Sequence, residues 1–140
     1  MSDPILSAPV LSRLAGSLPF VEKHKHTLID RMEEGLAAEE RYGEPFGQAE
    51  ITAMMLVEML LVHARKLVEG GTLGNLRAER AEHEMMGIGG RHYSRFGDLL
   101  VAVMKDLLGP RVPTEVPAAW CSAFWAIIRQ MQDQRDVVHA

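Results

Sequence analysis

The sequence predicts an all-α domain, and three observations support this fold class. Apolar residues recur at steps of three and four along most of the chain, no segment alternates apolar and polar residues long enough to form a strand, and glycine or proline separates the helical segments. The chain has 140 residues, of which 47% are hydrophobic and 24% are charged. We therefore expect one globular domain over residues 1–140, with its core in about residues 5–137.

The first third of the chain predicts two helices and a loop. A short helix closes at Gly16 and a second one begins at Pro19, because glycine weakens helices and proline is tolerated in their first turn. Several glycine and proline residues between positions 35 and 47 predict a loop. The apolar residues that mark the buried sides are Val10, Leu11 and Leu14 in the first helix, and Val21, Leu28 and Met32 in the second.

Four further helices follow. The first is strongly apolar and ends at paired glycines, and the second is charged on most sides and ends at Gly87. The third ends at Gly109, and Thr114 caps the fourth. Six or seven helices of unequal length and hydrophobicity differ from the matched helices of an up-and-down bundle. The predicted spans of the last four are about residues 48–69, 73–86, 91–108 and 114–137.

Charge and cysteine content exclude several classes of protein. The 15 Lys and Arg residues against 19 Asp and Glu give a net charge of −4, so no basic surplus indicates a nucleic-acid or anionic membrane partner. The single cysteine, Cys121, precludes an internal disulfide and zinc sites built from several cysteines. We expect no secretory signal, because the first residues have neither a basic segment nor a long apolar run. The most apolar stretch, residues 51–62, is too short to span a bilayer. We therefore expect a cytoplasmic protein.

His83 stands out among six histidines because of its place in a helix. The sequence contains no Gly-x-Ser-x-Gly, phosphate loop, His-Glu-x-x-His or paired Glu-x-x-His motif. The thin apolar stripe of the charged helix consists of Leu73, Leu76 and then His83, which stands where a third apolar side chain is expected. This pattern alone favours a core histidine with backbone partners over a ligand.

The residues around His83 resemble the haem domain of flavohaemoglobins and of their single-domain relatives. The resemblance is strongest near His83, Tyr93, Gly97 and Leu100, which keep the family's spacing, and it extends over about residues 5–137. It implies a globin fold of six to seven helices around a haem pocket, with His83 as the proximal iron ligand. Because Cys-x-x-Cys-His is absent, it implies noncovalently bound haem b. The expected haem contacts are His83, Ile88, Tyr93, Phe96, Leu100, Ile29, Tyr42, Phe46, Thr52, Leu56 and Leu60.

The distal side departs from the family pattern. Alignment places Ile29 where flavohaemoglobins have a tyrosine and Thr52 where they have a glutamine, with Leu56 one turn further. The phenylalanine that packs on the haem corresponds to Tyr42 or Phe46, and the alignment does not decide between them. Bound oxygen would then meet at most one hydroxyl. We expect fast oxygen loss, or a preference for CO and NO.

The proximal side departs as well. Alignment places Arg135, with Asp136 next to it, where the family has a glutamate that strengthens electron donation to the iron. This argues against a fully evolved NO dioxygenase, and we expect any reductase to be a separate protein. Met55 or His63 could supply a sixth iron ligand. The residues that suit an apolar slot are Met54, Met55, Met59 and Met86.

Several functions remain open at this point. The first is a haem globin that reversibly binds a diatomic gas (O2, NO or CO) for transport, detoxification or sensing. The alternative is a globin-like signalling or interaction domain that has lost haem, with His83 as a relic. Apolar residues without an assigned role leave room for a homodimer; they are Leu60, Leu61 and Val101.

Overall fold

The structure of the chain, a computed structural model, describes residues 5–38 and 48–138, with side chains as far as residue 133. Every regular element in these ranges is an α-helix, and their number lies within the predicted six or seven. The helices are α1 (Ala8–Lys23), α2 (Lys25–Ala38), α3 (Ala49–Gly70), α4 (Arg77–Met85), α5 (Gly90–Leu108) and α6 (Glu115–Val138).

α1 continues through both residues that were expected to interrupt it. The prediction that one helix closes at Gly16 and another begins at Pro19 is wrong, because both lie inside α1. The helix buries a continuous stripe, and each buried side chain contributes about 1.5–3 kcal/mol. Together these contributions offset the cost of an interior proline, about 3 kcal/mol. The buried apolar residues of this stripe are Leu14, Leu18 and Val21.

The break between the first two helices falls at His24, and α2 then continues to Ala38. The predicted loop therefore does not begin at Gly35, which is a helical residue. A Cβ atom on Gly35 would lie 3.0 Å from Leu99 Cδ1 of α5. Gly35 thus allows a close approach of α2 to α5 and does not end a helix.

The remaining helices lie near their predicted spans, except that α4 is shorter. α3 ends at Gly70 and is capped by Gly71, whose φ of +73° is strain-free for glycine. The Gly71 N–H donates to the Leu67 carbonyl at 2.7 Å. α4 begins at Arg77 and not at residue 73, because the Asn75 side chain accepts the Arg77 backbone N–H at 2.8 Å. α5 ends at Leu108, directly before the predicted stop at Gly109.

Two contacts fix α6 in the core. Trp120 is fully buried, and its indole N–H donates to the Ser17 hydroxyl of α1 at 2.8 Å. Gly97 of α5 lies directly against Trp125, because a Cβ atom on Gly97 would come within 2.5 Å of Trp125 Cζ2. The absence of a side chain at Gly97 therefore allows α5 and α6 to cross closely.

The helix packing leaves a gap between two elements. α2 packs against α3 and α5, α6 packs against α1 and α5, and α4 packs against α6. α3 and α4 are separated by the cavity described below. The predicted all-α globin fold is confirmed by this architecture. No helix in the described part of the chain is both long and apolar enough to cross a membrane.

Candidate functional site

A cavity of about 310 Å³ lies between α3 and α4, and we call it the interhelical cavity. Its volume is in the range of small-molecule sites. Among the described residues, α3 supplies seven of its lining side chains and α4 supplies three. They are Met54, Met55, Glu58, Met59, Val62, His63 and Lys66 of α3, and Glu79, Glu82 and His83 of α4.

The last turn of α4 holds His83 at this cavity. Gly87 follows the helix with a φ of +77°, a left-handed conformation that glycine adopts without strain. Its N–H donates to the Glu84 carbonyl at 3.0 Å, and the Ile88 N–H donates to the His83 carbonyl at 2.8 Å. This pair of bonds, with buried Ile88 beyond it, closes the helix end. The His83 backbone is therefore held by α4 before it and by this turn after it.

The His83 side chain contacts Tyr93 at the start of α5. His83 is 2% exposed and Tyr93 is 8% exposed, and His83 Nδ1 lies 2.9 Å from the Tyr93 hydroxyl oxygen. When Nδ1–H donates to this oxygen, Nε2 keeps its lone pair. Metal-binding histidines are commonly oriented by a hydrogen bond of this kind. The two residues that the resemblance associates are thus in direct contact.

Burial controls the protonation of this pair. It lowers the pKa of His83 below the ordinary value of 6.5, although the nearby carboxylates of Glu79 and Glu82 act in the opposite direction. Burial also raises the pKa of Tyr93 to about 12. Both side chains are therefore uncharged at neutral pH, and the imidazole has one nitrogen without a proton.

A second buried histidine lines the same cavity. His63 of α3 is 2% exposed, and its Nε2 contacts the Glu79 carboxylate of α4. Its Nδ1 is buried and has no hydrogen-bond partner. The contact between His63 and Glu79 bridges α3 and α4 beside the cavity.

Sequence reasoning missed the charged residues of the cavity wall. Glu58, Lys66, Glu79 and Glu82 were not assigned to it, although Glu79 precedes His83 by four residues and so shares its helix face. Three of the four methionines that were expected to suit a slot do line the cavity, namely Met54, Met55 and Met59.

The expected residues near the proximal histidine fall into two groups. Ile88 and Tyr93 line a second cavity of about 400 Å³, together with Arg80 and Glu84. Phe96 and Leu100 are fully buried in the core. They are buried residues of α5 and do not line the interhelical cavity.

The expected distal residues of α3 face the core. Thr52, Leu56 and Leu60 are fully buried and are not among the residues that line the interhelical cavity. Thr52 Oγ1 has no hydrogen-bond partner. The cavity is lined instead by Met55 and Met59, which directly precede Leu56 and Leu60 in the sequence. One residue rotates a side chain by about 100° around a helix, so the difference changes which face is exposed.

The other expected distal residues contribute less to the described site. Ile29 of α2 is partly buried against the core and does not line the interhelical cavity. Tyr42 and Phe46 lie outside the residues that the structure describes. The side chains of Arg135 and Asp136 also lie outside them, so the aligned proximal position stays a prediction.

Two curated proteins are similar to this chain over nearly its whole length. Both are flavohemoproteins of Xylella fastidiosa: the one from strain Temecula1 is 25% identical over 138 residues, and the one from strain 9a5c is 25% identical over 137 residues. Each comparison covers 94% of this chain and 34% of the relative, so the chain spans about a third of the relatives' length. No family model and no solved structure matches the chain. The predicted resemblance to flavohaemoglobins is confirmed.

Proposed function

We propose that this chain forms a globin domain that binds haem b and reversibly binds a diatomic gas. The observation that carries the proposal is His83, a buried, neutral imidazole that lines the interhelical cavity and contacts Tyr93 through Nδ1. The flavohemoproteins that resemble this chain support haem as the cofactor. The gas, whether O2, NO or CO, and its use in transport, detoxification or sensing belong to the proposal.

The residues of the cavity fit haem in two respects. Haem in a globin needs one axial nitrogen and an apolar slot between helices. His83 Nε2 would supply the nitrogen, and Met55, Met59 and Val62 supply apolar wall. The sequence has no Cys-x-x-Cys-His, so binding would be noncovalent. Bound haem supplies the iron on which a diatomic gas binds.

The chain's own residues set how such a gas is held. In the proposed protein, Tyr93 orients the His83 imidazole and keeps Nε2 without a proton. The described cavity wall offers thioethers near the middle of α3 and no hydroxyl or amide there. Few hydrogen bonds would then hold bound oxygen, so we expect weak retention of O2 relative to CO and NO.

Partners and location are part of the proposal. A protein of this kind that turned over NO would draw its electrons from a reductase. We also propose a cytoplasmic location. A homodimer also belongs to the proposal, although two of the residues expected to leave room for it, Leu60 and Leu61, are buried in the core. The third, Val101 of α5, is partly buried. We propose neither a nucleic-acid partner nor a membrane partner.

The acidic side chains of the cavity favour a second candidate. Glu58, Glu79 and Glu82 line the interhelical cavity, whereas Lys66 is the only Lys or Arg among the described residues lining it. Haem carries two anionic propionates, which such carboxylates disfavour. The alternative function is therefore a globin-like signalling or interaction domain that has lost haem.

An electronic spectrum decides between the two candidates. We expect the purified protein, or the protein incubated with haemin, to show an intense absorption band at the blue edge of the visible range that changes on reduction and again with CO. His83→Ala should abolish stable haem binding. His92→Ala should retain it, because His92 does not line the interhelical cavity and its Nδ1 accepts the Gly89 backbone N–H at the start of α5. A colourless protein that does not take up haemin would refute the proposal and support the alternative.

A further inference from the structure

Two side-chain contacts determine which part of α3 faces His83. At one end, the Gln48 amide lies beside Gly87, because a Cβ atom on Gly87 would come within 3.5 Å of Gln48 Nε2. At the other end, His63 contacts Glu79. The numbering rises along α3 as it falls along α4, so the two helices run antiparallel across the cavity.

His83 lies midway between the two α4 contacts, four residues from Glu79 and four from Gly87. The matching midpoint of α3, between positions 48 and 63, is positions 55–56. Leu56 is fully buried in the core, whereas Met55 is partly buried and lines the interhelical cavity. Met55 is thus the α3 side chain that faces His83 across the cavity.

Two other donors on this wall lie further along α3 than Met55. Met59 is four residues beyond it, or about 6 Å at 1.5 Å per residue. His63 is eight residues beyond Met55, or about 12 Å at 1.5 Å per residue. Its Nε2 is also engaged with Glu79. Met55 has three side-chain torsions and a soft thioether sulfur, so it can adjust to a metal opposite a histidine.

We propose that the Met55 sulfur is a second axial ligand of the haem iron, opposite His83, which an added gas displaces. The inference rests on the proposed function, because it concerns the haem site of that function. A thioether opposite a histidine favours ferrous iron and raises the reduction potential. The protein would then bind gas in competition with its own side chain.

The test is the spectrum of the haem-loaded, full-length chain without added ligand. We expect sharp, split visible bands in the ferrous state and the far-red charge-transfer band of thioether ligation in the ferric state. Met55→Leu, which conserves volume, should give the broad ferrous band of a five-coordinate iron. If Met55 occupies the iron nine-tenths of the time, Met55→Leu should raise the apparent CO affinity about tenfold. It should also lower the reduction potential.

Two variants serve as controls. Met54→Leu changes the neighbouring, 47% exposed methionine of the same wall and should leave the six-coordinate spectrum unchanged. His63→Gln removes the imidazole but keeps an amide that can donate to Glu79, and it should also leave the spectrum unchanged. A five-coordinate unmodified protein would refute this inference while leaving haem binding intact. Six-coordination that survives Met55→Leu would refute it too, because His63 or Met59 of the same wall would then supply the ligand. A chain that binds no haem would refute the proposed function as well.

Discussion

Replacing Tyr93 with phenylalanine removes one hydroxyl from the site and preserves the shape of the ring. In the unmodified chain this hydroxyl lies 2.9 Å from His83 Nδ1, and both side chains are buried. The substitution leaves Nδ1 without a partner, and an unsatisfied buried polar group costs about 1–3 kcal/mol. We therefore expect the haem-free protein to lose about this much free energy of unfolding, measured by urea titration.

The same substitution should weaken haem binding beyond its effect on stability. Loss of a hydrogen bond that orients a metal-binding histidine typically costs about 10–100-fold in metal affinity. We expect Tyr93→Phe to release haem faster by a factor in this range, measured as transfer to an excess of a high-affinity acceptor protein.

Ser17→Ala is the matched control for this prediction. It also removes a buried hydroxyl that bonds an aromatic ring nitrogen, since Ser17 Oγ accepts the Trp120 indole N–H at 2.8 Å. It should cost similar stability, but Ser17 and Trp120 do not line the interhelical cavity, so haem release should change little. Equal acceleration of haem release in Ser17→Ala and Tyr93→Phe would refute the assigned role of Tyr93, because both effects would then follow from stability alone.

Three further predictions concern the fold and its pH dependence. Gly97→Ala would place Cβ within 2.5 Å of Trp125 and should destabilise the protein by about 1–3 kcal/mol. Gly16→Ala, with no atom within 4 Å of the new Cβ, should instead stabilise α1 by up to about 1 kcal/mol. Thermal unfolding followed by circular dichroism would contradict this if Gly97→Ala melted at a higher temperature than Gly16→Ala. Burial lowers the pKa of His83 in the folded, haem-free protein below the value of 6.5 expected in the unfolded chain. The unfolded chain therefore takes up a proton more readily, and the free energy of unfolding should decrease as the pH falls below about 6.5. Urea midpoints at about pH 7.5 and about pH 5.5 should therefore differ less in His83→Leu than in the unmodified protein, and an equal difference would exclude His83 as a source. Gly87→Ala forces a left-handed alanine at the end of α4 and should cost about 1–2 kcal/mol in urea unfolding, so an unchanged midpoint would contradict the assigned turn.

The number and order of the long helices could be predicted because their apolar period and their glycine stops agree. The interruption expected in α1 shows the limit of such local rules. Gly16 and Pro19 are poor helix residues taken alone, but the stripe that includes Leu14 and Leu18 is buried against other helices. The free energy of that burial comes from residues distant in the sequence, which a local pattern does not contain.

The proximal half of the site could be predicted better than the distal half. His83 and Tyr93 are ten residues apart with one short turn between them, so their relative position follows from local sequence alone. The distal face depends on the rotation of α3, and a gap of one residue in an alignment exchanges Leu56 for Met55. The contact of Glu79 with His63 joins two helices and has no signal in either one alone.

The shortness of α4 has a consequence for how a large, flat molecule could enter the interhelical cavity. Of its nine residues only His83 is buried, and Arg80 donates to the Met131 carbonyl at 3.3 Å as one of its few ties to α6. Opening α4 alone therefore exposes little apolar surface and needs much less free energy than unfolding the whole chain. Amide hydrogens of α4 should exchange with solvent through this local opening while those of α3 and α6 stay protected. The same opening would admit a cofactor to the folded chain without disturbing the rest of the core.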